Sequence, residues 1–212
     1  MAADGVAVRK PSEEIAADAV LLAEPEHPWV SRGGVKLAAA VDAFKIDPQG
    51  RVCLDVGAST GGFTEVLLAR GAARVYAVDV GHDQLHPRLR GRRGIVSLEN
   101  TDIRALDATR LSESVDIIVI DVSFISLKLV LPAALKFARR PAQLVALIKP
   151  QFDAPRRHIK KGILRDPAIH QAVCDDISAF VASLDWAVVG ITPSPILGGD
   201  GNAEFLLGAQ RR

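Results

Sequence analysis

The sequence predicts an α/β fold: a mostly parallel seven-stranded sheet, helices on both faces and an antiparallel terminal strand. Three observations carry this. Short, continuous apolar runs alternate with longer segments of helical spacing, the pattern of strands buried on both faces. Several of those runs stop at a glycine or a charged side chain, as at Gly57, Asp79, Asp121 and Lys149. The last two runs are joined by a turn containing Gly198, Gly199, Gly201 and Asn202, short enough to favour an antiparallel hairpin.

The elements come in order. Residues 1–30 stand apart. Short apolar runs at 6–8 and 19–22 are separated by Lys10-Pro11-Ser12, and Pro25 and Pro28 punctuate the stretch after them. This is too little material for its own core, so a small strand-bearing appendage is expected. Residues 34–44 have helical spacing, with Val35, Leu37, Ala38, Val41 and Phe44 on the buried face, and Asp47-Pro48-Gln49-Gly50 ends the pattern. The first strand is expected at 52–56, followed by a helix at 63–70 that Gly71 stops. Strands at 75–78 and 95–98 flank a helical or looped segment at 82–90. The fourth strand covers 116–120. A helix at about 127–138 comes next, with Pro132 placed in its first turn. The fifth strand is 144–148, and a charged loop leads to a helix at about 167–183. Its first residue is Pro167, whose missing N–H needs no partner there. Strands at 186–191 and 204–207 close the chain.

Bulk properties exclude some function classes. A chain of 212 residues suits one large domain plus a short appendage. Its 49% apolar and 24% charged content is that of an ordinary soluble protein. No apolar run reaches the ~18 residues of a spanning helix, and the first residues lack the pattern of a signal peptide. A cytoplasmic protein with no membrane partner is therefore expected. Cys53 and Cys174 are expected as buried free thiols, and no metal site is expected. The net charge of +1 does not announce a nucleic-acid binder. Its distribution says more: Arg88, Arg90, Arg92 and Arg93 form one basic cluster, and Arg156, Arg157, His158, Lys160, Lys161 and Arg165 another. Phosphate contact and an ordinary solvated face are both open readings.

The segment Asp55-Val56-Gly57-Ala58-Ser59-Thr60-Gly61-Gly62-Phe63 runs from the first strand into a helix. Its glycines allow a tight turn at the carboxyl edge of the sheet, where open α/β folds bind ligands. The helix N–H groups beyond suit a carboxylate or phosphate. The dinucleotide fingerprint GxGxxG is absent, as is the nucleoside-triphosphate run GxxxxGK[ST]. The run looks instead like the first motif of class I methyltransferases, which use S-adenosylmethionine. Asp79 ends the second strand, 24 residues after Asp55, where a carboxylate can accept from ribose hydroxyls. Asp102 follows the third strand and can accept from an adenine amino group. A lone carboxylate at a strand end is otherwise simply solvated.

Asp121 and Lys149 end adjacent strands at the same edge, and Glu204 begins a strand running the other way, so three charged groups converge. Such a group suits methylation of a hydroxyl, which attacks poorly until its proton is being removed. Lys149 is the candidate base and Asp121 would orient it.

Larger segments carry a closer resemblance. They are Trp29 to Leu37, the glycine turn, Ala77 to Gly81, Asp121 to Lys128, Leu147 to Phe152, Lys161 to Pro167, Thr192 to Ile196 and Gly201 to Phe205. Together they resemble the TlyA/haemolysin A family of ribosomal RNA 2′-O-methyltransferases, within the FtsJ-like group. The resemblance implies a Rossmann-like class I methyltransferase fold over 29–212 with a Lys36, Asp121, Lys149 and Glu204 catalytic group. Helical spacing alone reads Lys36 as an exposed lysine. It also implies cofactor contacts at Asp55, Gly57, Ser59, Thr60, Gly61, Gly62, Phe63, Asp79 and Asp102. The implied substrate is cytidine in 16S and often 23S ribosomal RNA within a ribosomal subunit. Arg32 and the two basic clusters (Arg88, Arg90, Arg92, Arg93; Arg156, Arg157, Lys160, Lys161) are the expected RNA contacts. Family members normally carry an S4 RNA-binding domain ahead of the catalytic domain, and residues 1–28 resemble only its C-terminal part and linker. Two rival readings stand beside this: a non-catalytic RNA-binding or ribosome-associated protein, and a small-molecule O-methyltransferase. A pore-forming reading finds no spanning segment. Oligomeric state is left open.

Overall fold

The computed structural model describes residues 2–4, 6–8, 14–22 and 27–212. The appendage is an antiparallel sheet of three two-residue strands, β1 (Ala2–Ala3), β2 (Val6–Ala7) and β3 (Leu21–Leu22), in the order β2-β1-β3. Lys10-Pro11-Ser12 and Pro25 lie outside the described residues.

The main body opens with helix α1 (Gly33–Ala43) and strand β4 (Val52–Val56). Then come α2 (Gly62–Ala69), β5 (Arg74–Val78), β6 (Ile95–Leu98) and β7 (Val115–Ile120). The rest comprises α3 (Leu127–Leu135), β8 (Ala138–Ile148), the short α4 (Pro150–Asp153), α5 (Pro167–Ser183), β9 (Ala187–Pro193) and β10 (Phe205–Arg211). The seven strands lie in the order β6-β5-β4-β7-β8-β10-β9. All neighbours are parallel except at β10, which is antiparallel to both β8 and β9. The antiparallel last strand is therefore inserted one place in from the edge. The chain leaves β4 toward β5 on one side and returns to β7 on the other, so a crevice opens at their carboxyl ends. Open α/β sheets bind ligands at such a reversal of strand order.

Strands β4 and β7 are buried along their whole length, because helices cover both faces. Alternation along a strand sends neighbours to opposite layers. Leu54, Ile118 and Leu144 pack with Leu131 of α3, Ile177 of α5 and Trp186. Cys53, Ile117 and Val145 pack on the other side with Leu37 of α1 and with Phe63 and Leu67 of α2. Truncating a fully buried residue such as Ile118 to alanine costs about 2–5 kcal/mol.

Expectations for two elements need correction. Pro132 is the sixth residue of α3 rather than part of its first turn. The cap is Ser126, whose hydroxyl accepts from Lys128 N at 3.2 Å, and the helix continues only three residues past the proline, short of the expected 138. β8 starts at Ala138, so the sequence pattern recovers only its apolar second half. Its first half holds Arg139, Arg140 and Pro141, mostly exposed. Residues 82–90 take the looped alternative, as bends and turns.

Cys53 and Cys174 are free and buried. Burial pushes both thiols up, Cys174 to about 11, which leaves them unreactive at neutral pH. Among the described residues, no helix is long and apolar enough to cross a membrane.

Candidate active site

The glycine turn is shaped by protein contacts as much as by any ligand. Gly57 has φ of 80°, and a Cβ there would sit 2.3 Å from the Asp121 carbonyl oxygen. Only glycine lets the ends of β4 and β7 come this close. A Cβ at Gly62 would strike the Ser31 hydroxyl at 2.2 Å, so this glycine seats α2 against the start of α1. Phe63 is 3% exposed and packs into the core; its ring also borders a cavity shared with Arg32 and Lys36. Gly61, in the left-handed region at φ 93°, precedes the first turn of α2.

Asp55 is fully buried at the end of β4. Its Oδ2 accepts from the Thr64 hydroxyl at 2.6 Å, while Oδ1 has no partner. Burial raises its pKa from 3.8 to about 7, and the Thr64 bond opposes the rise. Asp79 is half-buried; its Oδ2 accepts from Ser59 N and its Oδ1 from Gly81 N, each at 2.7 Å. It thereby ties the end of β5 to the glycine turn. Asp102 caps a short 3₁₀ turn and is gripped by the Arg104 guanidinium at 2.6–3.0 Å, which holds its carboxyl below the ordinary range.

A cavity of about 430 Å³ runs along this edge, lined by Gly57, Ser59, Asp79, Asp102, Asp121 and the apolar side chains of Val78, Ile103 and Val130. A second cavity of similar volume is lined by Arg32, Lys36, Thr60, Gly62 and again Gly57, Ser59 and Asp121. Asp121 lies at the junction of the two.

Four charged residues from four elements meet here as two pairs. Lys36 Nζ of α1 lies 2.5 Å from Glu204 Oε2, just before β10. Lys149 Nζ, at the end of β8, lies 2.6 Å from Asp121 Oδ1 at the end of β7, in close ionic contact without hydrogen-bond alignment. The same Nζ donates to Ser123 Oγ at 2.8 Å. Lys36, Lys149 and Glu204 are all below 10% exposed. The reading of Lys36 as a surface residue from helical spacing is thus overturned: its ammonium turns inward because Glu204 awaits it. Removing either member of a buried pair leaves an uncompensated charge, at a cost of about 3–5 kcal/mol.

The basic residues divide. Arg88 donates to Glu65 Oε1 at 3.0 Å, and Glu65 Oε2 accepts from Val30 N at 2.6 Å, so this arginine braces the segment before α1. Arg90 binds the Leu85 and Asp83 carbonyls at 2.6 and 2.7 Å. Arg32 binds the Leu197 carbonyl at 2.5 Å, tying α1 to the loop before β10. Arg157 donates to the His158 ring at 3.1 Å. These four arginines are exposed, as are Arg92, Arg93, Arg156, Lys160 and Lys161.

Sequence reasoning missed three residues. Thr64 holds Asp55, Ser123 holds Lys149, and buried Asn202 anchors the loop that carries Glu204. Ser123 was within reach, since it comes two residues after Asp121 on the same sheet edge.

Residues 29–211 match the FtsJ-like methyltransferase family. A 16S/23S rRNA (cytidine-2′-O)-methyltransferase TlyA from Mycobacterium tuberculosis is 43% identical over 207 residues, covering 96% of this chain and 77% of that protein. The crystal structure of a protein described as a hemolysin from Lactococcus lactis superposes with a TM-score of 0.84 at 42% identity, covering 87% of this chain and 89% of that one. A magnesium protoporphyrin IX methyltransferase from Synechocystis, with bound SAM, shares the fold at a TM-score of 0.57 and 16% identity over 85% of this chain and 79% of that one. A family match that takes in the whole sheet and every charged residue of the site, joined to 43% identity along nearly the full chain, makes this protein a member of the FtsJ-like methyltransferase family, in its TlyA/hemolysin A branch.

Proposed function

We propose that the chain methylates a ribose 2′-hydroxyl of ribosomal RNA, a cytidine of 16S or 23S RNA within a ribosomal subunit, using S-adenosylmethionine. The observation that carries the reading is the two lysine–carboxylate contacts at one sheet edge, Lys36–Glu204 buried and Lys149–Asp121 partly so, with Asp121 bordering both cavities. One cavity takes the methyl donor and the other the acceptor nucleotide. The 43% identical relative named for this activity supports the substrate assignment.

The residues present fit the cofactor. Asp55 keeps a buried carboxylate oxygen without a partner, suited to a cationic amino group. Asp79 and Asp102 both line the first cavity, with lone pairs left for ribose hydroxyls and an adenine amino group. Gly57, Ser59, Thr60, Gly61, Gly62 and Phe63 complete the holding turn. When bound, S-adenosylmethionine supplies an electrophilic methyl on a sulfonium.

The chain's own residues then align and deprotonate the acceptor. Lys149 contacts Asp121 and Ser123, which fixes its nitrogen beside the residue that borders both cavities. In its amine form it would take the 2′-hydroxyl proton as the ribose oxygen bonds the methyl carbon and the bond from that carbon to the sulfonium sulfur breaks, leaving a thioether, and Asp121 would stabilise the resulting ammonium. Lys36 and Glu204 hold the nucleotide. Their rigid, buried pairing provides the alignment that methyl transfer requires. Among the expected RNA contacts, Arg92, Arg93, Arg156, Lys160 and Lys161 face solvent and suit phosphates. Arg32, Arg88, Arg90 and Arg157 are exposed too and can reach phosphates while each keeps a contact inside the chain. Residues 1–28 fit the residual C-terminal part of an S4 RNA-binding domain, and a substrate of this kind places the enzyme in the cytoplasm.

The test is incubation of purified small and large ribosomal subunits with methyl-labelled cofactor. Wild type labels RNA. Lys149→Ala binds cofactor and subunits but does not turn over. Full turnover by that variant removes the base role, and subunit binding by wild type without labelling favours a non-catalytic RNA-binding protein.

A further inference from the structure

Asn202 is 2% exposed, and both ends of its amide are used. Its Oδ1 accepts from Leu164 N at 2.9 Å, and its Nδ2 donates to Gly162 O at 3.0 Å. Those partners belong to a tight turn. Lys160 and Ile163 exchange both backbone hydrogen bonds at 3.0 Å, and Lys161 and Gly162 adopt φ of 49° and 78°. This is the primed-turn geometry that reverses a chain in four residues. It presents Lys160 and Lys161, both exposed, side by side.

The backbone of Asn202 faces the other way. Its carbonyl accepts from Gly198 N at 2.9 Å, and Gly201 N donates to Gly198 O at 3.0 Å. Gly198 lies against the Glu204 carboxylate so closely that a Cβ would sit 2.6 Å from Oε1. Glu204 O accepts from Ser194 N at 2.9 Å, and its side chain meets Lys36. Among the described residues, the two amide bonds of Asn202 are the only hydrogen bonds that cross between the lysine turn and the Glu204 loop. Neither segment is part of a helix or of the main sheet, so this one side chain sets their spacing.

We propose that Asn202 is a positioning residue for methyl transfer, coupling the Lys160–Lys161 turn to the Lys36–Glu204 pair so that phosphate contact at the lysines registers the acceptor ribose. The proposal rests on the ribosomal RNA reading. Its chemistry is local: a phosphodiester held by two ammonium groups cannot shift without moving Gly162 and Leu164, and through Asn202 the loop that carries Glu204.

Asn202→Asp keeps the shape and the acceptor for Leu164 N but sets an oxygen against Gly162 O. With labelled cofactor and intact subunits, kcat should fall about tenfold or more while cofactor Kd stays within about twofold. Lys160→Ala with Lys161→Ala should lower kcat and raise KM in the wild-type background. In the N202D background the same change should raise KM but no longer lower kcat, because the link is already cut. Amide exchange at Leu164 and Gly198 should accelerate together in Asn202→Ala, which removes both side-chain bonds. Wild-type kcat in N202D, or additive effects of the lysine and Asn202 changes, overturns the proposal. If N202D loses cofactor binding, Asn202→Ala carries the same readouts; loss of cofactor binding there too makes the residue structural and also overturns it. Absence of labelling by wild type counts against the RNA reading itself, whereas unchanged exchange at Leu164 and Gly198 in Asn202→Ala counts against the coupling alone.

Discussion

Replacing Thr64 with valine keeps a β-branched side chain and deletes the hydroxyl that donates to Asp55 Oδ2 at 2.6 Å. Both residues are fully buried, so solvent does not replace the lost donor. The effect depends on pH because burial lifts the Asp55 carboxyl from 3.8 to about 7. Below 3.8 it is protonated both folded and unfolded. Between 3.8 and about 7 the unfolded chain releases the proton and the folded chain keeps it, so stability falls as pH rises. Above about 7 the cost is constant, at roughly 4 kcal/mol. A hydrogen bond to a charged acceptor contributes about 1.5–3 kcal/mol and one to a neutral acceptor about 0.5–1.5. Thr64→Val should therefore destabilise more at pH ~8 than at pH ~5, by about 1 kcal/mol. Urea denaturation at the two pH values, without cofactor, measures both terms. Asp55→Asn, which cannot ionise, should flatten the decline between them. Equal destabilisation by Thr64→Val at both pH values, or an unchanged slope in Asp55→Asn, would refute the reasoning.

Other outcomes rest on the same geometry. Gly57→Ala places a methyl group against the Asp121 carbonyl at a left-handed backbone, so cofactor affinity by calorimetry should drop at least about tenfold with a lower Tm. Glu204→Gln strands the Lys36 ammonium and should cost about 3–5 kcal/mol in chemical denaturation; adding Lys36→Met should recover most of that stability without restoring methyl transfer. Neutralising Arg92 and Arg93 should lower the salt slope of RNA binding by about 1–2 and leave Tm unchanged. Arg88→Ala should lower Tm, because it leaves buried Glu65 without its charged partner.

The sheet was legible because its strands are continuous apolar runs with charged or glycine ends. That pattern marks Asp55, Asp79, Asp121 and Lys149, since a polar group at such a position either reaches the sheet edge or disrupts the core. Lys36 carried no such signal. Its burial depends on Glu204, 168 residues away, and no local periodicity encodes a contact at that separation. The first half of β8 was illegible for a related reason: Arg139 and Arg140 join a sheet whose rim is polar, and Arg139 there meets buried Asp116. Charge counting did not show how Arg88 and Arg90 are anchored. It treated adjacent arginines as one surface, whereas their guanidinium groups reach back to Glu65 and to backbone carbonyls. Pro132 shows that a proline in a helical pattern fixes a boundary only loosely when few residues come after it. Family resemblance supplied what periodicity could not, singling out Lys36 from its motif, and the fold pairs that lysine with Glu204.

The central claim is that the two lysine–carboxylate pairs serve ribose methylation. Ribosomal subunits treated with the chain and isotopically labelled cofactor can be digested to nucleosides and resolved by mass spectrometry. The account predicts label in 2′-O-methylcytidine, absent when Lys149 is alanine. Label confined to a methylated base would contradict it, as would undiminished 2′-O-methylcytidine from Lys149→Ala.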